Sequence, residues 1–230
     1  MPAVSSPTLA DLLAHRSQPA APLVTYYDQS TGERVELSAT TTANWVAKTS
    51  NFLIDDLDAE PGTRVRIGLP SHWLRMVWLL SAWNVGAAVV EDEADIGISG
   101  PELRGDEPHR VAASLRPLGG RFVEPPAGFL DLAVEVPGHS DYFVPLDPPE
   151  PSTLALDLPG CRTTHADLLE QIAPDAHRLL LVPQNLVADA RRLIAACLGN
   201  GSLVIVTSAT PDQIARVASQ EAAEIAGPIP

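Results

Sequence analysis

Two periods of apolar residues alternate along this chain. "PLVTYYD" (22–28) and "ERVELS" (33–38) are rich in β-branched and aromatic residues and flank a turn at Gln29–Gly32, which predicts a hairpin. From Thr40 to Leu57 the apolar positions Trp45, Val46, Thr49, Phe52, Leu53 and Leu57 recur at helical spacing, with Ser38 as cap. "PGTRVRIGLP" predicts a turn and a strand, and 72–85 a helix apolar on nearly every side, hence covered on both faces. "GAAVV" reads as a short buried strand of the parallel type, "EDEAD" (91–95) as a solvated acidic turn, and "IGISG" as another strand. Thr8 with Asp11 predicts a capped helix over 8–16.

The pattern weakens between Pro101 and Pro151. "RVAASL" and "LAVEVP" read as strands around a "PLGG" turn, and "VPLDPPEPST" as an extended connection. Periodicity then returns. "TLALDL", "RLLLVP" and "SLVIVT" predict strands, separated by helices over 164–173 and 185–198, the second stopped by "GNG". Thr210, Pro211 and Gln213 open a last helix to about Glu224. Strands alternating with helices predict a doubly wound α/β fold with mostly parallel sheets. The expected layout is one α/β domain over 1–230, with a first lobe at about 20–100, a Pro-rich connection at about 101–151 and a second lobe at about 152–225.

Composition narrows the function. The net charge of −14 and pI near 4.7 repel nucleic acid and anionic membrane surfaces, and no basic stretch offsets them, so neither partner is expected. Lys48 is the only lysine, which denies a lysine to any mechanism located after it. "MPAVSSPTLADLL" has no basic segment leading into an apolar run, and the most apolar stretch is broken by Arg75, Asn84 and Gly86. A cytoplasmic protein is expected, with Cys161 and Cys197 as reduced thiols.

The segment from Pro22 to Val90, with its hairpin, long helix, "PGTRVRIGLP", apolar helix and "GAAVV", resembles the amino-terminal part of the adenylate-forming superfamily, the acyl-CoA synthetases and their relatives. "THADLL", "HRLLLVP", "LIAACLGNGSLVIV" and "TPDQIARVASQEAAEI" follow in the order of the next part of that domain. The whole chain also resembles a group of short actinobacterial proteins of unknown function related to that superfamily. The resemblance implies a fold like a truncated amino-terminal domain of an adenylate-forming enzyme. It also implies a loop rich in Ser, Thr and Gly, ending in lysine, that wraps the phosphates of ATP just before the "TH" helix. Here only "DLPGCRTTH" stands there, with Gly160 its single glycine and Arg162 its only cation. An aromatic–histidine pair expected near the acyl group is replaced by Gln184 and Asn185. The family's adenine- and ribose-binding motifs and its mobile C-terminal domain with a catalytic lysine would follow beyond Pro230.

A residual site at this junction would use Gly160, Arg162, Thr163, Thr164 and His165 on an anion. Their ordinary reading is N-capping by Thr164, with His165 exposed in the first turn. Millimolar affinity needs about 4 kcal/mol, whereas a helix N-terminus supplies roughly 0.3–1 kcal/mol, or about 2 when partly buried. No cofactor is therefore expected, and neither is residual ATP or AMP binding. His15, His72, His109, His139, His165 and His177 show no metal-ligand spacing, so no metal is expected. Cys161, beside Gly160 and four residues from His165, is the best nucleophile candidate, with a structural cysteine as the ordinary reading. No catalytic residue is assigned. Trp73, Trp78 and Trp83 share no single helical face, which fits a helix buried on both sides.

These features favour a non-catalytic module, a pseudoenzyme that binds an unidentified protein partner or ligand. Two alternatives stand beside it: half of an acyl-activating enzyme completed by a partner chain, and a homo-oligomeric structural protein formed by self-association.

Overall fold

The computed structural model describes residues 7–14 and 16–227. His15 and the stretch before Pro7 lie outside them. The strands form two sheets. One has the order β12-β10-β11-β1-β2, from β1 (Pro22–Asp28), β2 (Glu33–Ser38), β10 (Arg178–Leu181), β11 (Ser202–Thr207) and β12 (Glu224–Ile225). The other has the order β7-β6-β5-β3-β4-β8-β9, from β3 (Arg64–Ile67), β4 (Ala88–Val90), β5 (Ile96–Ser99), β6 (His109–Ala112), β7 (Leu130–Asp131), β8 (Leu154–Leu158) and β9 (Cys161–Thr164). Only the β1–β2 and β8–β9 pairs are antiparallel, because only these are joined by tight turns; every other pair is parallel. The mostly parallel α/β prediction holds. The sheets do not, however, divide the chain at the Pro-rich connection. The first sheet joins the hairpin near the start to strands near the end, and the second holds everything between.

Helix α1 (Ala39–Asp55) starts at Ser38, whose Oγ accepts the Thr41 N–H at 3.0 Å. Helix α2 (Trp73–Asn84) is buried at every position from Trp73 to Trp83, and it packs against β1 of one sheet and against β3 and β4 of the other. This double burial is why the tryptophans follow no single face. Trp83 Nε1 donates to the Ala155 carbonyl at 3.1 Å, while Trp45 meets Trp73 edge-on at 5.3 Å. No helix among the described residues is long and apolar enough to cross a membrane.

Three predicted elements differ. Among the described residues of 8–16 there is a 3-10 turn at Leu9–Asp11 in place of the helix, with Asp11 accepting the Thr8 N–H at 2.8 Å. "LAVEVP" is not a strand. Asp131 accepts the Ala133 N–H at 3.0 Å and starts a short helix, α3 (Leu132–Glu135), followed by a 3-10 turn. The buried residues there are Leu132 and Val136, four apart, so the apparent alternation is one helical turn with Val134 exposed. The last helix, α6 (Pro211–Gln220), stops before Glu224, because Ala222 turns at φ 48° and the chain re-enters the first sheet as β12.

Candidate functional site

The stretch from Leu154 to Gln171 forms a hairpin and a helix. β8 and β9 pair from Leu154 opposite Thr164 to Leu158 opposite Cys161, leaving only Pro159 and Gly160 in the turn. Proline presets the first central position, and Gly160 supplies φ 73° at the second, the combination favoured in a type II turn. The sequence reads this stretch as a loop and misses β9; the "LPGC" turn signal was the available clue. Gly160→Ala should lower stability by about 1 kcal/mol from the left-handed backbone alone, since nothing lies within 4 Å of the added Cβ; urea unfolding measures it.

The five residues named at this junction face different ways. Gly160 is at the tip. Arg162 is exposed and donates from Nη1 to Asp157 Oδ2 at 2.7 Å, across the hairpin. Thr163 points into the protein, and its Oγ1 has no partner among the described residues. Thr164 caps α4 (His165–Gln171). Its Oγ1 accepts the Asp167 N–H at 3.2 Å, and Asp167 Oδ2 accepts the Thr164 N–H at 3.2 Å. Thr164 Oγ1 also donates to Asp167 Oδ2 at 2.8 Å, and this bond, with the one from the Thr164 N–H, holds the Asp167 carboxyl below its usual range. The expected cap is present, but His165 is not exposed. It is fully buried, its Nδ1 accepts the Leu9 N–H at 3.2 Å, and burial pushes its pKa down to about 4. The ring packs inward because the 3-10 turn at Leu9–Asp11 folds over the start of α4. Cys161 is half-buried against the core, Cys197 is buried with its thiol pushed up to about 12 by burial, and both are free.

A cleft of about 500 Å³ opens beside the hairpin turn, at the carboxyl ends of β3, β4 and β8. Ligands of open α/β sheets usually sit at that end of the strands. Ile67, Gly68, Val90 and Leu158 form one side, and the start of helix α5 (Leu186–Gly199) forms the other. Two of its polar side chains, Arg66 and Asn185, already have partners. Arg66 pairs through Nε with Glu107 and donates from Nη2 to the Arg104 carbonyl at 3.0 Å. Asn185 caps α5 by accepting the Ala188 N–H at 2.8 Å. Behind the cleft lies a buried ion pair that sequence patterning misses. Arg75 Nη1 donates to Asp189 Oδ2 at 2.6 Å, Gln184 Nε2 to Asp189 Oδ1 at 2.9 Å, and Ser71 Oγ to Asp189 Oδ2 at 3.1 Å. Burial raises the Asp189 pKa, with Arg75 opposing it. The clue was Arg75, the single charge inside the apolar α2. Among the described residues no group of three or more His, Cys, Asp or Glu side chains could hold a metal ion.

This arrangement of sheets and helices recurs in solved structures. An acyl-CoA synthetase from Brucella canis superposes on 96% of this chain with a TM-score of 0.77, over 47% of its own length at 13% identity. The fold is shared with acyl-CoA synthetases. Acetoacetyl-CoA synthetase from Streptomyces lividans matches 94% of this chain and 41% of its own, with a TM-score of 0.74 and 17% identity. The N-terminal domain of FACL13 from Mycobacterium tuberculosis matches 95% and 62%, with a TM-score of 0.68 and 15% identity. The chain therefore spans about half of a complete synthetase and corresponds to its amino-terminal portion. In sequence, a TIGR03089 family protein of Mycobacterium tuberculosis is 40% identical over 151 residues, which are 59% of this chain and 61% of that protein. No family model matches.

Proposed function

We propose that this chain is a cytoplasmic, non-catalytic module on the synthetase fold, one that binds a ligand or protein partner without ATP chemistry. The observation that carries this reading is the two-residue Pro159–Gly160 turn. β8 and β9 are present, and the turn joining them has no room for backbone N–H groups to surround a triphosphate. The neighbouring groups do not compensate. Arg162 is taken by Asp157, and the Asp167 carboxylate occupies the start of α4, where it opposes an incoming phosphate.

The test is ATP–pyrophosphate exchange with a panel of carboxylic acids and Mg²⁺. No exchange above background is expected. Exchange by the chain alone would overturn the reading, and exchange that appears only when a second chain is added would make this half of an enzyme. Light scattering after size exclusion separates a monomeric module from a self-associating one.

A further inference from the structure

We infer that the concavity between α4 and α5, which shares no lining residue with the cleft, is a binding site for a phosphate monoester carrying an apolar group. Its volume is about 690 Å³, and Arg191 and Arg192 of α5 line it together with His177, which precedes β10. Six of the fourteen arginines, Arg34, Arg64, Arg66, Arg75, Arg162 and Arg178, sit against carboxylates. Arg191 and Arg192 make no ion pair among the described residues. Arg191 Nη2 donates to the neutral Gln171 Oε1 at 3.3 Å, and Arg192 Nη2 to the Gly227 carbonyl at 2.6 Å. Arg192 Nε is buried without a partner.

Two acids face this group. Asp175 is held by His177, Oδ1 to Nδ1 at 2.7 Å, and Glu224 lies in the exposed β12. The hydrogen bond to Asp175, then the field of Glu224, raises the His177 pKa and so favours its charged form. With His177 protonated, three cations face two carboxylates. Two guanidinium forks present several parallel donors, which suits a phosphate dianion better than a single carboxylate. Ile172, Pro174 and Ala195 supply apolar walls for the group it carries.

The floor is also fixed. A Cβ on Gly199 would lie 2.2 Å from the Asp175 carbonyl carbon, and one on Gly201 would lie 2.3 Å from the Asp175 oxygen. Gly199 and Gly201 therefore let the 175–177 loop seat directly on the end of α5.

Calorimetric titration of the full chain with phenyl phosphate and inorganic phosphate, at constant ionic strength, tests the assignment. Saturable one-to-one binding is expected, tighter for phenyl phosphate, with Arg191→Gln weakening it about tenfold at an unchanged melting temperature. Arg192→Gln should weaken it as well, with its melting temperature checked separately because Arg192 also holds Gly227. Absence of saturable binding up to about 10 mM, or affinity unchanged in Arg191→Gln, would overturn the site. ATP binding abolished by Arg191→Gln belongs here, whereas ATP binding that survives it belongs to the cleft and counts against the proposed function instead.

Discussion

Asp189→Ala should destabilise the protein by about 3–5 kcal/mol, enough to unfold a domain of ordinary stability in mild denaturant. The reason is what remains after the change. Asp189 is 1% exposed, and among the described residues it is the only carboxylate that the buried Arg75 guanidinium touches. Arg75 Nε also donates to the Leu69 carbonyl at 2.8 Å, so the side chain cannot swing out to water without giving up that bond. Gln184 Nε2 and Ser71 Oγ would lose their acceptor at the same time. The cost is chiefly that of an orphaned buried charge, not of one attraction. Replacing both partners by apolar residues of similar size, Arg75→Met with Asp189→Leu, should recover most of the loss. Urea unfolding of the single and double variants checks this. A single-variant cost below about 1 kcal/mol would mean that water reaches the pair.

The pair also has a positional role. Arg75 and Ser71 belong to α2 and the segment leading into it, which follows β3 of the second sheet. Asp189 and Gln184 belong to α5 and the segment leading into it, which follows β10 of the first. The ion pair therefore ties the two sheets together behind the cleft, and Asp189→Ala should loosen the cleft walls as well as lower stability.

Much of this fold was legible because single segments carry their own signals. Ser38, Thr164 and Thr210 cap the helices they were expected to cap, and each bonds to a backbone N–H three residues on. The strands of "SLVIVT" and "RLLLVP" are continuous apolar runs because they lie inside a parallel sheet. What failed depended on tertiary context. The period of "LAVEVP" is ambiguous over six residues, and only the contacts of Leu132 and Val136 settle it as a turn of helix. The sheets interleave the start and end of the chain, and no local pattern encodes which distant strand β1 joins. At the candidate site, sequence placed a cap at Thr164 but an exposed His165. The ring is buried by Leu9, which is 156 residues away, and periodicity has no view of such a contact.

That buried ring, with a second one, sets the strongest solvent dependence expected of this protein: stability should fall steeply between pH 6.5 and 4. His72 and His165 are each held down to about 4 from an ordinary 6.5, both mainly by burial. Their folded pKa values lie below the unfolded ones, so the unfolded chain binds more protons throughout this window. The stabilisation they provide is fully present above 6.5, is lost as the pH falls, and levels off near 4. A difference of this size corresponds to about 3 kcal/mol for each ring, and both rings together give a slope of about 2 kcal/mol per pH unit near pH 5.

Neither ring can take up a proton cheaply. His72 Nδ1 accepts the Leu74 N–H at 3.1 Å, and its ring packs 4.4 Å from that of Tyr26. His165 Nδ1 accepts from Leu9, so protonation there would set two donors against each other. Other groups act differently. Asp189, raised by burial, takes up a proton earlier in the folded state and offsets part of the loss near pH 4. Glu107, Glu221 and Asp167 lie below their ordinary values, so their contribution is lost only at the acid end of the window and beyond. Urea unfolding at half-unit pH steps measures the slope. His72→Asn with His165→Gln keeps an acceptor at each site and should flatten most of the curve between pH 6.5 and 5. A slope left intact in that double variant would assign the acid sensitivity to carboxylates, and the two imidazoles would then be solvated in a way their burial does not allow.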